Sequence, residues 1–272
     1  MRQKEKLKKL RASLDVLSLS ATPIPRTLYL ALCNLRDISF VQTPPPGRKA
    51  VKTVVLPWSE KIIKKAIDFE IKRGGQVYYL HNRVETITVA KKTLEKLGTQ
   101  SKIPWKIGVV HGRLKEKELI KVMKDFQEKK INILIATTII ETGLDFPSVN
   151  TLIVADATRL GLSQAYQIRG RVGRSPLPAQ AFFLYPEKLS EKAKLRLKAL
   201  KEAKTLGSGY QIARRDLEIR GAGNILGKEQ SGNINAVGLN LYCQMIAEAV
   251  EKLKSPKLSN YNERNSKNFH QR

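Results

Sequence analysis

The sequence predicts an α/β protein: a parallel β-sheet with helices on both faces, followed by helical segments. Three observations lead there. Short apolar runs rich in β-branched and aromatic residues alternate with stretches of helical periodicity from residue 50 to 186, the order of a sheet built through crossover helices. Two of these runs, "NILIAT" (132–137) and "TLIVAD" (151–156), are apolar at successive positions, as central strands covered on both faces must be. After Pro186 the short runs stop and only helical patterns continue.

The predicted strands are 15–21, 50–57, 76–82, 106–112, 131–137, 150–157 and 179–186, each too short for a helix. Between them, 58–73 carries Ile62, Ile63, Ala66 and Ile67 on one helical face, and 84–97 and 115–129 also read as helices. "TPPPGR" (43–48) continues neither a helix nor a central strand and reads as a stiff linker. Residues 1–45 are thus expected to be the end of a preceding unit, because a strand and a half do not make a domain. Residues 46–188 form the main sheet domain. Ala193, Leu197, Leu200 and Ala203 line one face of a helix expected to run from about residue 190 to Gly207. Helical patches broken by a glycine-rich bend near 221–232 complete a unit over 189–253, and the polar stretch 254–272 reads as a disordered tail.

Charge narrows the partners. Fifty Lys and Arg against 24 Asp and Glu give a formal net charge of +26, a self-repelling surface that a polyanion offsets. Nucleic acid is the expected partner. No apolar run reaches the ~18 residues of a membrane span, so no membrane partner is expected. "MRQKEKLKKLR" has no apolar stretch after it and is not a secretory signal; the cytoplasm is the expected compartment. Cys33 and Cys243 stand alone, without metal spacing or a disulfide framework, and no metal site is expected.

Chemistry-bearing residues concentrate at the ends of predicted strands, where open parallel sheets bind ligands. Thr137, Thr138, Glu141, Gly143 and Asp145 follow the strand 131–137; Gly143 permits a tight turn, and Asp145 can accept a hydrogen bond from a sugar hydroxyl or an arginine. "QIRGRVGR" places Gln167, Gly170, Arg171, Gly173 and Arg174 as Q-x-x-G-R-x-G-R. Three apart, Arg171 and Arg174 would project together from one helical turn, and planar guanidinium forks suit bidentate phosphate binding. Pairing with Glu141 or Asp145 is the alternative. In "SATPIPRT" (20–27), Ser20 and Thr22 can contact a phosphate or an acidic loop, or simply form a strand–turn–helix joint.

In this order and spacing, "SATPIPRT", "YYLHNRVE", "HGR", "ATTIIETGLD" and "QIRGRVGR" resemble motifs III to VI of superfamily 2 helicases. "RGGQVYYLHNRVETI" and "GSGYQIARRDLEIRGAGNILGKEQSG" narrow the resemblance to bacterial transcription-repair coupling factors, with RecG-type branch-migration helicases as the alternative. The resemblance implies a RecA-like helicase C-terminal lobe followed by a translocation-motif helical hairpin and hook. It implies that Arg171 and Arg174 are arginine fingers reaching the γ-phosphate of ATP with Mg²⁺, and that Gln167 positions the water or a finger. Gly143 and Asp145 would contact the nucleotide sugar or its coordinating groups. Ser20 and Thr22 would couple nucleotide state to DNA grip, and His81, Asn82, Arg83, Gly112 and Thr137 would touch the DNA backbone. Arg220 and Gln230 would transmit lobe closure to the duplex.

One family part has no counterpart in these residues. No G-x-x-x-x-G-K-[ST] loop occurs, "DFEI" (68–71) and "DLEI" (216–219) terminate no apolar strand, and "GNILGK" (223–228) has the wrong spacing. The expectation is half of a motor, from a truncated or split protein, that hydrolyses ATP only when a first RecA-like lobe is supplied in cis or in trans. RNA polymerase would be reached only through regions outside this sequence. A sequence-independent DNA-binding module without catalysis is the competing class, favoured by the charge alone.

Overall fold

The computed structural model of the protein describes residues 48–141, 146–203 and 205–220, with isolated positions at 17, 19, 20, 38–41, 43, 241, 244, 245, 247–249 and 252. Of the expected strand 15–21, residues 15, 16, 18 and 21 lie outside the described residues. Six strands form one sheet: β1 (Lys52–Pro57), β2 (Gln76–Leu80), β3 (Ile107–Val110), β4 (Ile133–Ala136), β5 (Val149–Val154) and β6 (Gln180–Tyr185). Their order is β1-β6-β5-β2-β4-β3, and every pair is parallel. The helices are α1 (Glu60–Lys72), α2 (Ile87–Thr99), α3 (Glu116–Gln127), α4 (Leu162–Arg169), α5 (Glu191–Glu202) and α6 (Gly209–Arg220).

Strand alternation divides the core into two layers. Val77 and Tyr79 of β2, with Ile133 and Ile135 of β4, face one layer, where Ile63 and Ile67 of α1 and Leu94 and Leu97 of α2 pack. Tyr78 and Leu80, with Leu134 and Ala136, face the other, against Phe126 of α3, Ile168 of α4, Leu200 of α5 and Ile212 of α6. Burial on both faces explains why the central strands read as unbroken apolar runs.

The amino end of the sheet holds its own polar network. The backbone leaves α1 through Gly74, whose φ of 78° no side chain adopts easily. Gly74 N–H then bonds Ile71 O and Gly75 N–H bonds Glu70 O, the 5→2 and 6→1 pattern that closes a helix on glycine. Glu70 is fully buried and accepts from Thr151 Oγ1 of β5 and Arg73 Nη2. Gln76 donates from Nε2 to Phe126 O and Ile131 O, both at 2.7 Å, and accepts from Ser148 Oγ. Buried polar groups so engaged pin the starts of β2, β4 and β5 to one another.

Three elements differ from expectation. The helix predicted to reach Gly207 ends at Glu202, where Ala203 leaves helical backbone at ψ 69° and its carbonyl is satisfied at 2.6 Å by Arg169 Nη1 from α4. Helix α4, only eight residues between Gly161 and Gly170, is an element the sequence reading did not assign. Strand β2 also stops short of its predicted end at 82: it closes at Leu80, although His81 N–H still bonds Ala136 O at 2.9 Å.

Glu70→Ala is expected to destabilise the fold by about 3 kcal/mol, the low end for breaking a buried charged pair, because Arg73 is a fifth exposed and can turn to water. Urea unfolding of both proteins measures it, and an unchanged midpoint would contradict the assignment.

Candidate nucleotide and nucleic-acid site

The order β2-β4-β3 brings three predicted segments together at the carboxyl end of the sheet. His81, Asn82 and Arg83 follow β2, Thr137 follows β4, and Gly112 lies in the turn after β3. Arg113 of that turn reaches Glu85 beyond β2, Nη2 to Oε1 at 2.8 Å. Gly112 is exposed, and a Cβ there would meet no atom within 4 Å. Thr137 is nearly buried, with its N–H on Val110 O. The turn after β5 joins the same edge. Asp156 accepts from Thr158 N at 3.1 Å and from Arg159 Nε at 2.8 Å, locking a short 3₁₀ turn, Ala157–Arg159, that opens into α4.

His81 directly follows β2 at this edge. Its Nε2 lies 2.8 Å from Thr86 Oγ1. Burial pushes its pKa below 6.5, the positive charges of Arg83 and Arg159 push the same way, and Asp156 opposes them. The edge therefore holds a neutral imidazole among arginines.

The arginine pair lies elsewhere. Helix α4 ends at Arg169 and is capped by Gly170, so Arg171 and Arg174 leave from the segment beyond it rather than from one helical turn. The physical reason is Gly173. Its φ is 76°, and a Cβ there would sit 2.9 Å from Ala179 Cβ and 3.2 Å from Val51 Cγ2, so the chain turns off the helix against the starts of β6 and β1. Arg171 is half-buried and donates from Nη2 to the main-chain carbonyl of Glu141 at 2.5 Å. Glu141 ends the 3₁₀ turn Thr138–Glu141 that follows β4, and its carboxylate accepts from Gln164 Nε2 of α4 at 2.6 Å. Burial raises the Glu141 pKa, opposed by Gln164 and by the Arg171 charge. The acceptor of Arg171 is thus the main-chain carbonyl of Glu141, while the carboxylate is engaged by Gln164. Arg174 is exposed, with Nε 3.4 Å from Gly170 O. Gln167 is exposed on α4.

Of the remaining expected residues, Ser20 is exposed, and Arg220 ends α6 with its side chain outside the described atoms. Thr22, Gly143, Asp145 and Gln230 lie outside the described residues. The sequence reading passed over Arg48, Arg169, Arg196 and Asp216, which fasten the arginine segment and its helix. Arg169 is buried, stacks on the Tyr166 ring with Cζ 4.6 Å from the centroid, and donates to Ala203 O and Thr53 Oγ1. Arg196 of α5 donates to Thr158 O at 3.1 Å, and the fully buried Asp216 of α6 accepts from Ser163 Oγ of α4 at 3.0 Å. For Arg169 and Arg196 the acceptors are mainly backbone carbonyls, which no motif displays. "DLEI" could have signalled Asp216, since a carboxylate on an apolar helix face needs a partner.

Residues 58–176 match the helicase conserved C-terminal domain. The sheet has the RecA-like fold of a helicase C-terminal lobe. Across 253 residues, 92% of this chain, it is 50% identical to the transcription-repair-coupling factor of Bacillus subtilis, covering 21% of that protein. It is 48% identical over 259 residues, 94% of the chain, to that of Staphylococcus aureus, covering 22%. The chain thus spans about a fifth of the length of these curated relatives. Among solved structures, RecG bound to a three-way DNA junction superposes with a TM-score of 0.65 at 32% identity, over 85% of this chain and 30% of RecG. Of the two families the sequence resembles, the coupling factors share the higher identity over more of the lobe and the residues beyond it.

Because the folded lobe holds His81 below its ordinary pKa, its neutral form contributes stability that is complete above pH 6.5 and is lost as pH falls through the depressed value. Between about pH 7.5 and 5, His81→Gln is therefore expected to lose less stability than the parent lobe. Urea unfolding across that range checks the sign, and equal pH slopes would contradict it.

Proposed function

We propose that this chain is the second motor lobe of an ATP-dependent double-stranded DNA translocase of the transcription-repair coupling type, acting in the cytoplasm. The observation that carries the reading is Arg174: an exposed guanidinium on a glycine-bounded segment that is itself fastened to the sheet. The division that goes with it is the end of a first lobe at 1–45, the second lobe at 46–188, a translocation hairpin at 189–253 and a tail at 254–272.

The arginine pair is chemically suited to phosphate oxygens, since guanidinium forks are charged, planar and donor-only. Arg171 and Arg174 would hold the terminal phosphate of a nucleotide seated on the first lobe. ATP with Mg²⁺, when bound, supplies the phosphoryl group to be transferred. The chain's own residues neutralise the charge that develops on that group, orient the attacking water through Gln167, and hold the sugar side through Gly143 and Asp145. Arg83, Arg113 and Arg159 make the carboxyl edge basic, and with His81, Asn82, Gly112 and Thr137 they suit the phosphates of a duplex backbone. Ser20 and Thr22 on one side, and Arg220 and Gln230 on the other, would pass lobe closure to the DNA. RNA polymerase would be engaged only through regions outside these 272 residues.

An arginine finger accelerates transfer by ~10³–10⁵ only when phosphate and metal are already held, and these residues include no phosphate loop. The 272-residue chain alone is expected to hydrolyse ATP at background rate. Fused to or co-expressed with a first lobe that carries the loop, it is expected to show duplex-stimulated turnover, which Arg174→Ala reduces by ~10³-fold or more. Turnover by the chain alone, abolished by Arg174→Ala, would sink the two-lobe pocket. Salt-sensitive duplex binding with no turnover in either setting would favour the binding module that the +26 charge permits.

A further inference from the structure

We propose that Arg48 is a positioning residue for the finger segment, an inference that rests on the motor reading above. Arg48 stands just before β1, at the end of the proline-rich stretch. Its Nη2 donates to Gly170 O at 3.2 Å, across 122 positions of sequence. Gly170 caps α4, so its carbonyl sits at the negative end of that helix and offers two lone pairs to cations. Arg174 Nε addresses the same oxygen at 3.4 Å. That separation exceeds the usual 2.7–3.2 Å of an N–H···O bond, so Arg48 is the firmer holder of the carbonyl and Arg174 the looser one.

Two further contacts join the same pair of segments. Gly173 lies where a Cβ would press on Val51 Cγ2, and Arg169 Nη1 reaches Thr53 Oγ1 at 3.1 Å. Residues 48, 51 and 53 are therefore a seat, and residues 169–174 rest on it. The arrangement has a chemical consequence. When Arg174 swings to a phosphate, a charged acceptor stronger than a carbonyl, Gly170 O keeps the Arg48 donor and the helix end is not orphaned. Arg48 thus fixes the end of α4, and it passes any displacement of the entry to β1 directly to the segment that carries Arg171 and Arg174.

The first measurement uses the whole 272-residue chain, ¹⁵N-labelled and without nucleotide. Arg48→Ala is expected to shift or broaden the amide signals of Gly170 to Arg174 and the Arg174 Nε–H signal, and Arg48→Lys, which keeps one cationic donor, restores most of them. If neither variant moves those signals, Arg48 does not position the segment, whatever the catalytic data. The second uses the chain completed with a first lobe. Arg48→Ala is expected to lower kcat about 10-fold with KM for ATP changed less than about twofold, as for a group acting on the transition state through geometry. In an Arg174→Ala background it should have no further effect. Equal losses in both backgrounds would show a merely structural role and overturn the proposal. Should Arg174→Ala itself leave turnover intact, the motor reading falls, and the amide signals alone decide what Arg48 does.

Discussion

Ile133, Leu134, Ile135 and Ala136 of β4 expose no surface, and β5 beside them is buried along its length. Strands sealed on both faces leave little place for hydrogen-bonding groups between their ends, because an unpartnered polar atom there costs several kcal/mol, and the polar residues of β5, Asn150 and Thr151, stand at its amino end. Polar chemistry is forced to the ends of the sheet. At the amino end it is consumed internally, by the Glu70–Thr151–Arg73 contacts and the three bonds of Gln76. At the carboxyl end it stays accessible, as the turns carrying His81, Gly112 and Asp156. The candidate contacts thus gather at the end of the sheet where polar groups stay accessible, away from the end where they are consumed internally.

Helix α4 joins the chemistry of that edge to the arginine pair. It begins at the Asp156 turn, runs eight residues and delivers Arg171 and Arg174 against the starts of β1 and β6. A helix so short has little intrinsic stability, so its position comes from what grips it. Arg169, Asp216 and Arg196 tie it and its preceding turn to α5 and α6, and Arg171 ties its exit to the turn after β4. Helices α5 and α6 thus hold α4 through packed side chains and bonds to carbonyls rather than through solvent.

Much of the sheet was legible in advance. The six described strands follow the predicted runs because their apolar continuity directly reflects burial on two faces. Helices α1 to α3 and α5 follow because their apolar periodicity matches a single buried stripe. Helix α4 was not legible: two turns between glycines give too short a window for a period to emerge. Gly207 was misread as the end of α5 for a related reason. It does take a positive φ of 80°, so a turn is there, but the helix has already ended at Glu202, where Ala203 leaves helical backbone. The arginines of "QIRGRVGR" were found because a glycine-spaced arginine pattern is rare, yet their geometry was not. Spacing three suggests one helical turn, and only the packing of Gly173 on Val51 and Ala179 takes the chain off the helix.

Residue type by itself determined the parallel α/β layering, the basic surface and the candidate fingers, since hydrophobic period and side-chain charge are written in the alphabet of the chain. Tertiary structure alone decided where those fingers are held. Arg48, Arg169 and Arg171 bond the main-chain carbonyls of Gly170, Ala203 and Glu141. Every residue carries such an oxygen, so no sequence pattern can mark the one that a folded backbone will present to an arginine 30, 34 or 122 positions away.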